Sequence, residues 1–314
     1  MDASFLLGRR AVRLDVEAHA VDLDDGRQLQ YGRLVLATGL APRRLPGTES
    51  LRGVRLLRTL DDCVGLRADL LASRRVVVVG AGVLGCEIAA TVCQMGRQVT
   101  MIDPAPVPMA RQTGLAIGRA LSGVHTDHGV EMRMGTSVKG LLSEHGRVTG
   151  VEIDGGEVVA ADVIVTTIGS VPVTDWLIGS GLSLDDGVLC DERGRAGADI
   201  YAVGDVARWS PGRIRVGPRV ENRTNAVQQA VFVASDITGA QGDYDQVPYF
   251  WTDQYDIRMQ VFGLVPEGAY LRLIEGALPS RKFVMVAEQE GQVVGVVGWN
   301  SAKAVMAAKQ AHLG

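Results

Sequence analysis

A chain of 314 residues with 46% hydrophobic content can fill two or three domain cores. Its net charge of −4 excludes nucleic acid as a bulk electrostatic partner. No run reaches the ~18 apolar residues of a membrane span, and the opening Met-Asp-Ala-Ser-Phe-Leu-Leu-Gly-Arg-Arg has the wrong charge order for a signal peptide, so the expectation is a cytoplasmic protein with no membrane partner.

Residues 11–38 alternate as strands do, with Val12, Leu14 and Val16 on one face, and Asp24-Asp25-Gly26 reads as a hairpin turn. Leu34-Val35-Leu36-Ala37 is a continuous apolar run, as in a fully buried strand. Residues 42–56 hold two prolines and two glycines and read as a connector. Residues 59–73 suit a helix, Arg75–Val79 a buried strand, Cys86–Met95 a helix ended by Gly96, and Val99–Asp103 a strand. A helix over 113–128, a strand near 130–134 and a meander over 147–168 follow. Residues 200–205 read as a strand ending in Gly-Asp, and 225–238 as a helix. From Tyr244 the composition shifts to β-rich segments at 258–263, 269–275, 282–288 and 292–298, closed by a helix over 301–312.

Two stretches repeat. Gly26, Gly39 and Pro42 recur as Gly156, Gly169 and Pro172, each 130 residues later, with an apolar strand before each second glycine. The second copy follows the loop Gly80-Ala81-Gly82-Val83-Leu84-Gly85, and the matching loop of the first would fall upstream of Met1. The expected fold is therefore α/β, with two Rossmann-like dinucleotide-binding domains, the first truncated at its N-terminus, plus a small C-terminal α+β domain. The expected division is 1–56 as the first part of one nucleotide domain, 57–172 as a complete second one, 173–242 as the return to the first, and 243–314 as the C-terminal module.

The 76–103 unit has the context its fingerprint needs: strand, G-x-G-x-x-G, helix, strand, acidic residue. Gly80 permits the tight turn, Gly82 lets the backbone approach a pyrophosphate, and Gly85 lets the helix pack close to the strand. Val83 and Leu84, within the loop, are expected beside the cofactor, and the unpaired N–H groups of the helix that follows favour phosphate. Asp103 ends the second strand, where a carboxylate can accept both ribose hydroxyls of NAD(H) and repel the extra phosphate of NADP. Glu87 has two readings: a carboxylate near the helix start favoured by the dipole, or a group facing the nicotinamide carboxamide. The four cysteines, Cys63, Cys86, Cys93 and Cys190, form no C-x-x-C pair and read as buried or partly buried free thiols. His125 and His128 share a helix face, with no further residue to complete a metal site.

These motifs, with Leu36–Arg43, Ile200–Asp205 and Val247–Asp256, resemble the FAD-dependent pyridine nucleotide-disulfide oxidoreductases, in particular the NADH:ferredoxin and rubredoxin reductases of oxygenase systems. The resemblance runs through nearly the whole chain in order. It implies FAD beside NAD(H), hydride transfer from NADH to the flavin, and single-electron release to a ferredoxin- or rubredoxin-type iron–sulfur protein of an oxygenase or cytochrome P450 system. It places Thr38, Gly39 and Arg43 beside FAD and Asp205, after Gly204, at its ribityl and pyrophosphate region. It brings Glu221, Asn225 and Ala226 towards the flavin ring, Tyr249 and Trp251 near isoalloxazine and nicotinamide, and Gly169 beside the bound nicotinamide nucleotide. No side-chain nucleophile or acid–base pair is implied.

The chain departs from the family pattern in three ways. The N-terminal FAD loop is absent, which predicts weak or no FAD binding. Arg223 stands where the family often has tryptophan, and the chain ends early. Arg208, Arg213, Arg215, Arg219 and Arg223 read either as a basic docking surface for an acidic partner or as solvated and cofactor-facing side chains. The alternative function is an NAD(H)-binding remnant or regulatory module without electron transfer.

Overall fold

The computed structural model describes residues 3–210, 219–240 and 242–314. Its helices are α1 (Leu60–Ala72), α2 (Val83–Gln94), α3 (Ala110–Asp127), α4 (Arg223–Ile237) and α5 (Ala302–Leu313). The chain forms two compact units. The first is built from residues up to Ala41 and from Val171–Pro248, the second from Pro42–Ser170 and Tyr249–Gly314. The connector 42–56, expected with the first segment, thus falls in the second unit, because Val54–Arg55 adds a parallel strand to that unit's sheet. The C-terminal β-rich segment clusters with the same unit.

In the second unit five parallel strands lie in the order Val54–Arg55, Val163–Thr166, Arg75–Val79, Gln98–Asp103, Glu131–Met134. The Val76–Val79 run is buried throughout, as a strand covered on both faces must be. Chain order reverses beside Arg75–Val79, and the glycine loop leaves that strand's carboxyl end, where open α/β sheets take their ligands. Thr59 caps α1 through a reciprocal capping box with Asp62, a feature worth about 0.5–2 kcal/mol. A second sheet, antiparallel throughout, orders Tyr249–Gln254, Ile257–Gly263, Gln292–Trp299, Lys282–Gln289 and Tyr270–Ala277, with α5 packed against it. Trp299 and Phe283 of that sheet share one buried cluster with Leu66, Met101 and Ile117.

The first unit carries a meander of Ala11–Asp15, Ala20–Leu23 and Gln28–Gln30, and a three-stranded sheet of Arg195–Gly197, Ile200–Ala202 and Leu34–Leu36. Leu34–Leu36 lies at that sheet's edge, and Val35 is 41% exposed, so this apolar run is not the fully buried strand its composition predicts. Asp236, near the end of α4, accepts from Arg193, Arg195 and Tyr201 and ties the helix to the sheet.

Candidate dinucleotide site

The three loop glycines meet different surroundings. Gly80 has φ +107°, and a Cβ there would lie 2.4 Å from the Thr167 carbonyl oxygen. A Cβ on Gly85 would lie 1.9 Å from the Gly80 carbonyl oxygen, so only glycine lets α2 approach the turn. A Cβ on Gly82 would meet no protein atom within 4 Å. Its role is therefore not packing, and the backbone on that side is open to an incoming group. Gly82 is the N-cap of α2 and supplies no side-chain acceptor, which leaves the first helical N–H groups to an outside partner. Val83 packs against the core, whereas Leu84 is 39% exposed. The helix starts at Val83, three residues before the sequence pattern predicts, because the cap is a glycine rather than a Ser, Thr, Asp or Asn.

Asp103 is more constrained than expected. Its Oδ2 accepts from the Ala81 N–H at 2.6 Å and its Oδ1 from the Ala105 N–H at 2.7 Å. The two amides fix the half-buried carboxylate beside the loop, and each oxygen keeps a further lone pair for a ribose hydroxyl.

Glu87 is the fifth residue of α2, and the first turn holds no acidic residue, so the helix-dipole reading has no geometric support. Its Oε1 instead accepts from the Thr252 hydroxyl at 2.7 Å. Desolvation holds its carboxyl above the usual range, and the Thr252 hydrogen bond opposes that shift. Behind Thr252 stand Gln254, 2% exposed, and His125, fully buried. Burial pushes His125 down to about 4, so its ring is neutral at pH 7. His128 stacks on Tyr255 with ring centroids 3.7 Å apart. The His125–His128 pair thus belongs to a packing and hydrogen-bonding cluster.

Gly169 and Arg43 are neighbours. The Arg43 N–H donates to the Gly169 carbonyl at 2.9 Å, and Gly169 has φ +91°. On Tyr249–Gln254 the side chains alternate: Thr252 and Gln254 are buried, while Trp251 is 38% exposed. The Tyr249 ring lies 5.8 Å from Trp251 and 4.5 Å from Phe262, and its hydroxyl accepts from Gln260.

In the first unit the Thr38 hydroxyl donates to the Val173 carbonyl at 2.8 Å, and Gly39 takes φ +65°. Gly204 has φ +71°, and a Cβ there would lie 3.3 Å from the Cβ of Ala226. Its N–H is held by Gln229 at 2.8 Å, and half-buried Asp205 follows on a short 3-10 turn. The Asn225 side chain is taken up internally: its Nδ2 donates to the Val220 carbonyl, and its Oδ1 accepts from Tyr244. Glu221 pairs with Arg219 at 2.9 Å.

Of the three described arginines of the cluster, two are taken up by ion pairs. Arg219 is buried against Asp186, Glu221 and the Asp205 carbonyl, and Arg208 pairs with Asp185. Arg223 is exposed, while Arg213 and Arg215 lie outside the described residues. Local acids satisfy the two paired arginines. The thiols differ from expectation in one place: Cys63 is exposed, because it lies on the outer face of α1. Thr252, Gln254, Tyr255 and His125 had no site role in the sequence reading. The alternation of Thr252 and Gln254 on one strand was the available signal, but their partners, Glu87 and His125, lie 165 and 129 residues away.

Among the described residues no helix is long and apolar enough to cross a membrane. Residues 2–230 match the family described as pyridine nucleotide-disulphide oxidoreductase, and residues 249–312 match the reductase C-terminal region. Rhodocoxin reductase of Rhodococcus erythropolis is 36% identical over 306 residues, covering 96% of this chain and 71% of that protein. The ferredoxin reductase for the CYP199A2 system from Rhodopseudomonas palustris superposes with a TM-score of 0.92 at 33% identity, over 97% of this chain and 75% of that one. The reductase of the covalent putidaredoxin reductase–putidaredoxin complex also gives 0.92 at 33% identity, over 98% and 75%. With the family match running over residues 2–230, the chain belongs to the pyridine nucleotide-disulphide oxidoreductase family.

Proposed function

We propose that the protein is an FAD- and NADH-dependent reductase that delivers electrons to a ferredoxin- or rubredoxin-type iron–sulfur protein of an oxygenase or cytochrome P450 system. The observation that carries this reading is Gly82, a glycine whose Cβ position faces no protein atom within 4 Å at the start of a helix without a side-chain cap. The residues fit a nicotinamide dinucleotide. Gly80, Gly82, Gly85 and the N–H groups of Val83 and Leu84 would hold the pyrophosphate, Asp103 a ribose, and Glu87 the carboxamide, with Gly169 beside the nucleotide. Gly204 and Asp205, with Glu221 and Ala226 beside the start of α4, offer a polar turn suited to a flavin nucleotide, and Asn225, bonded to Val220, Asn222 and Tyr244, would hold that segment in place beside it. Thr38 and Gly39 of the first unit are proposed as further flavin contacts, and Arg43, Tyr249 and Trp251 of the second as further cofactor contacts, on the family resemblance.

Bound FAD supplies the conversion of a two-electron donor into single electrons for the iron–sulfur partner. The chain's own groups bind and orient. The relatives' names, a reductase serving a P450 system and one crystallised with putidaredoxin, support the partner class. Cytoplasmic residence, where NADH is supplied, completes the proposal.

The test is anaerobic mixing of NADH with FAD-supplemented protein and a [2Fe–2S] ferredoxin, followed by visible absorbance. NADH-dependent bleaching of the ferredoxin supports the reductase reading. NADH binding with no electron transfer favours a nucleotide-binding module instead. Asp103→Ala should cut the preference for NADH over NADPH by roughly tenfold, since hydrogen bonds to a charged group contribute about 1.5–3 kcal/mol. Equal affinities of the wild type for NADH and NADPH would show that Asp103 does not select.

A further inference from the structure

A directed chain of four hydrogen bonds ends on Glu87. Gln254 Oε1 lies 3.0 Å from His125 Nε2, and Gln254 Nε2 lies 3.0 Å from Thr252 Oγ1. An amide oxygen only accepts and an amide nitrogen only donates. His125 Nε2 must therefore carry the ring proton. In the neutral ring Nδ1 is then an acceptor, and the Tyr255 hydroxyl donates to it at 3.3 Å. Thr252 Oγ1 already accepts from Gln254, so its one proton goes to Glu87 Oε1 at 2.7 Å.

The amide orientation is itself fixed, because Gln254 Nε2 also donates to Met109 Sδ at 3.6 Å. The reversed amide would place its carbonyl against that thioether, which has no proton to give. Each group therefore has its partner only when the chain runs from Tyr255 through His125, Gln254 and Thr252 towards Glu87. A second observation supports the design. Tyr255 is a turn residue of the hairpin closed by Gln254 and Ile257, which accounts for its φ of +55°, and from there its ring stacks on His128 while its hydroxyl reaches His125.

We infer that Tyr255, His125, Gln254 and Thr252 form a positioning relay that holds the Glu87 carboxylate in one orientation as an acceptor for the nicotinamide carboxamide. The inference rests on the dinucleotide reading of the glycine loop. The four residues touch no ligand themselves and act through Glu87. Polar chains of this kind, with every member satisfied, fix a single arrangement of their groups. None of the four residues bonds the pyrophosphate loop directly; Gln254 meets it only through Met109, whose N–H donates to the Ala81 carbonyl at 2.8 Å, so the Thr252 hydroxyl, which bonds Glu87 alone on that side, acts at the nicotinamide end of the ligand.

Calorimetry with two probes, NADH and ADP-ribose, tests this, because ADP-ribose keeps the pyrophosphate and lacks the nicotinamide. Thr252→Val should weaken NADH roughly tenfold, by loss of a hydrogen bond to a charged group. ADP-ribose affinity should hold within about twofold. Thr252→Ser, which restores the hydroxyl, should recover NADH binding. Gln254→Met should show a smaller loss of the same selective kind, which guards against misfolding of the first variant. In a Glu87→Ala background Thr252→Val should cause no further loss, as expected of groups acting in series. Equal weakening of both probes, additive losses in the double variant, or unchanged NADH affinity in Thr252→Val would each overturn the relay. Wild-type protein that bound neither probe would instead bring down the dinucleotide site on which the relay depends.

Discussion

The two copies of the repeat carry the same sequence pattern and have different surroundings. In the second unit the meander Val138–Glu144, Arg147–Ile153, Val158–Ala160 leads into Val163–Thr166, which is buried at every residue between two parallel neighbours. In the first unit the meander of Ala11–Asp15, Ala20–Leu23 and Gln28–Gln30 leads into Leu34–Leu36, which pairs on one side only. Val165 is fully buried, whereas its counterpart Val35 is 41% exposed. The glycines that follow, Gly39 and Gly169, both keep φ positive, at +65° and +91°. Local turn chemistry is thus written into each copy, and burial is decided by the strands that happen to flank it.

Acid should separate the two units most strongly. His125 of the second unit is fully buried, while His19 of the first is exposed. The folded ring titrates at about 4 against 6.5 for the free side chain, chiefly from desolvation. Between those values the unfolded chain holds a proton that the folded chain does not, so stability falls as pH drops through the window. The loss reaches up to about 3 kcal/mol. Glu87, raised by burial, takes up its proton more readily when folded and offsets part of the loss below its raised value. Thermal melts at pH 7 and pH 5 should show a steeper decline for wild type than for His125→Asn. Identical slopes would remove His125 as the cause.

Equivalent truncations sharpen the contrast. Val165→Ala should cost about 2–3 kcal/mol through lost transfer energy and a cavity between strands. Gly39→Ala and Gly169→Ala should cost about 1 kcal/mol each, because both sites need φ positive. Val35→Ala should stay within about 0.5 kcal/mol, as an exposed substitution does. Chemical denaturation of the four variants checks the series. A Val35 cost equal to that of Val165 would erase the distinction between the copies.

The nucleotide half of the site was legible because its signals are local. Glycine spacing, the strand before it and the acid after it lie within 76–103, and the structure adds only that Asp103 is already pinned by the Ala81 and Ala105 amides. The repeat was legible for the same reason, as turns at Gly26 and Gly156 both take φ positive, at +84° and +81°. Burial was not legible, since the four-residue run at Leu34 reads like the one at Val163 until the neighbouring strands are known. His125 was considered only as a metal ligand, and its actual partner, Gln254, is brought to it by the fold across 129 residues. For Arg208 and Arg219 the sequence left a docking surface and solvated or cofactor-facing side chains equally open, because the acids that engage them, Asp185 and Asp186, come from a separate stretch of chain.

Gly82→Val tests the central claim most directly. A Cβ at this position meets no protein atom within 4 Å, so the variant should fold, with a melting temperature lowered only by the poorer N-cap that valine makes for α2. It should nevertheless lose NADH binding in a calorimetric titration, because the new side chain occupies the path by which a pyrophosphate approaches the backbone. A folded Gly82→Val protein that bound NADH as tightly as wild type would contradict the assignment of this loop to the dinucleotide.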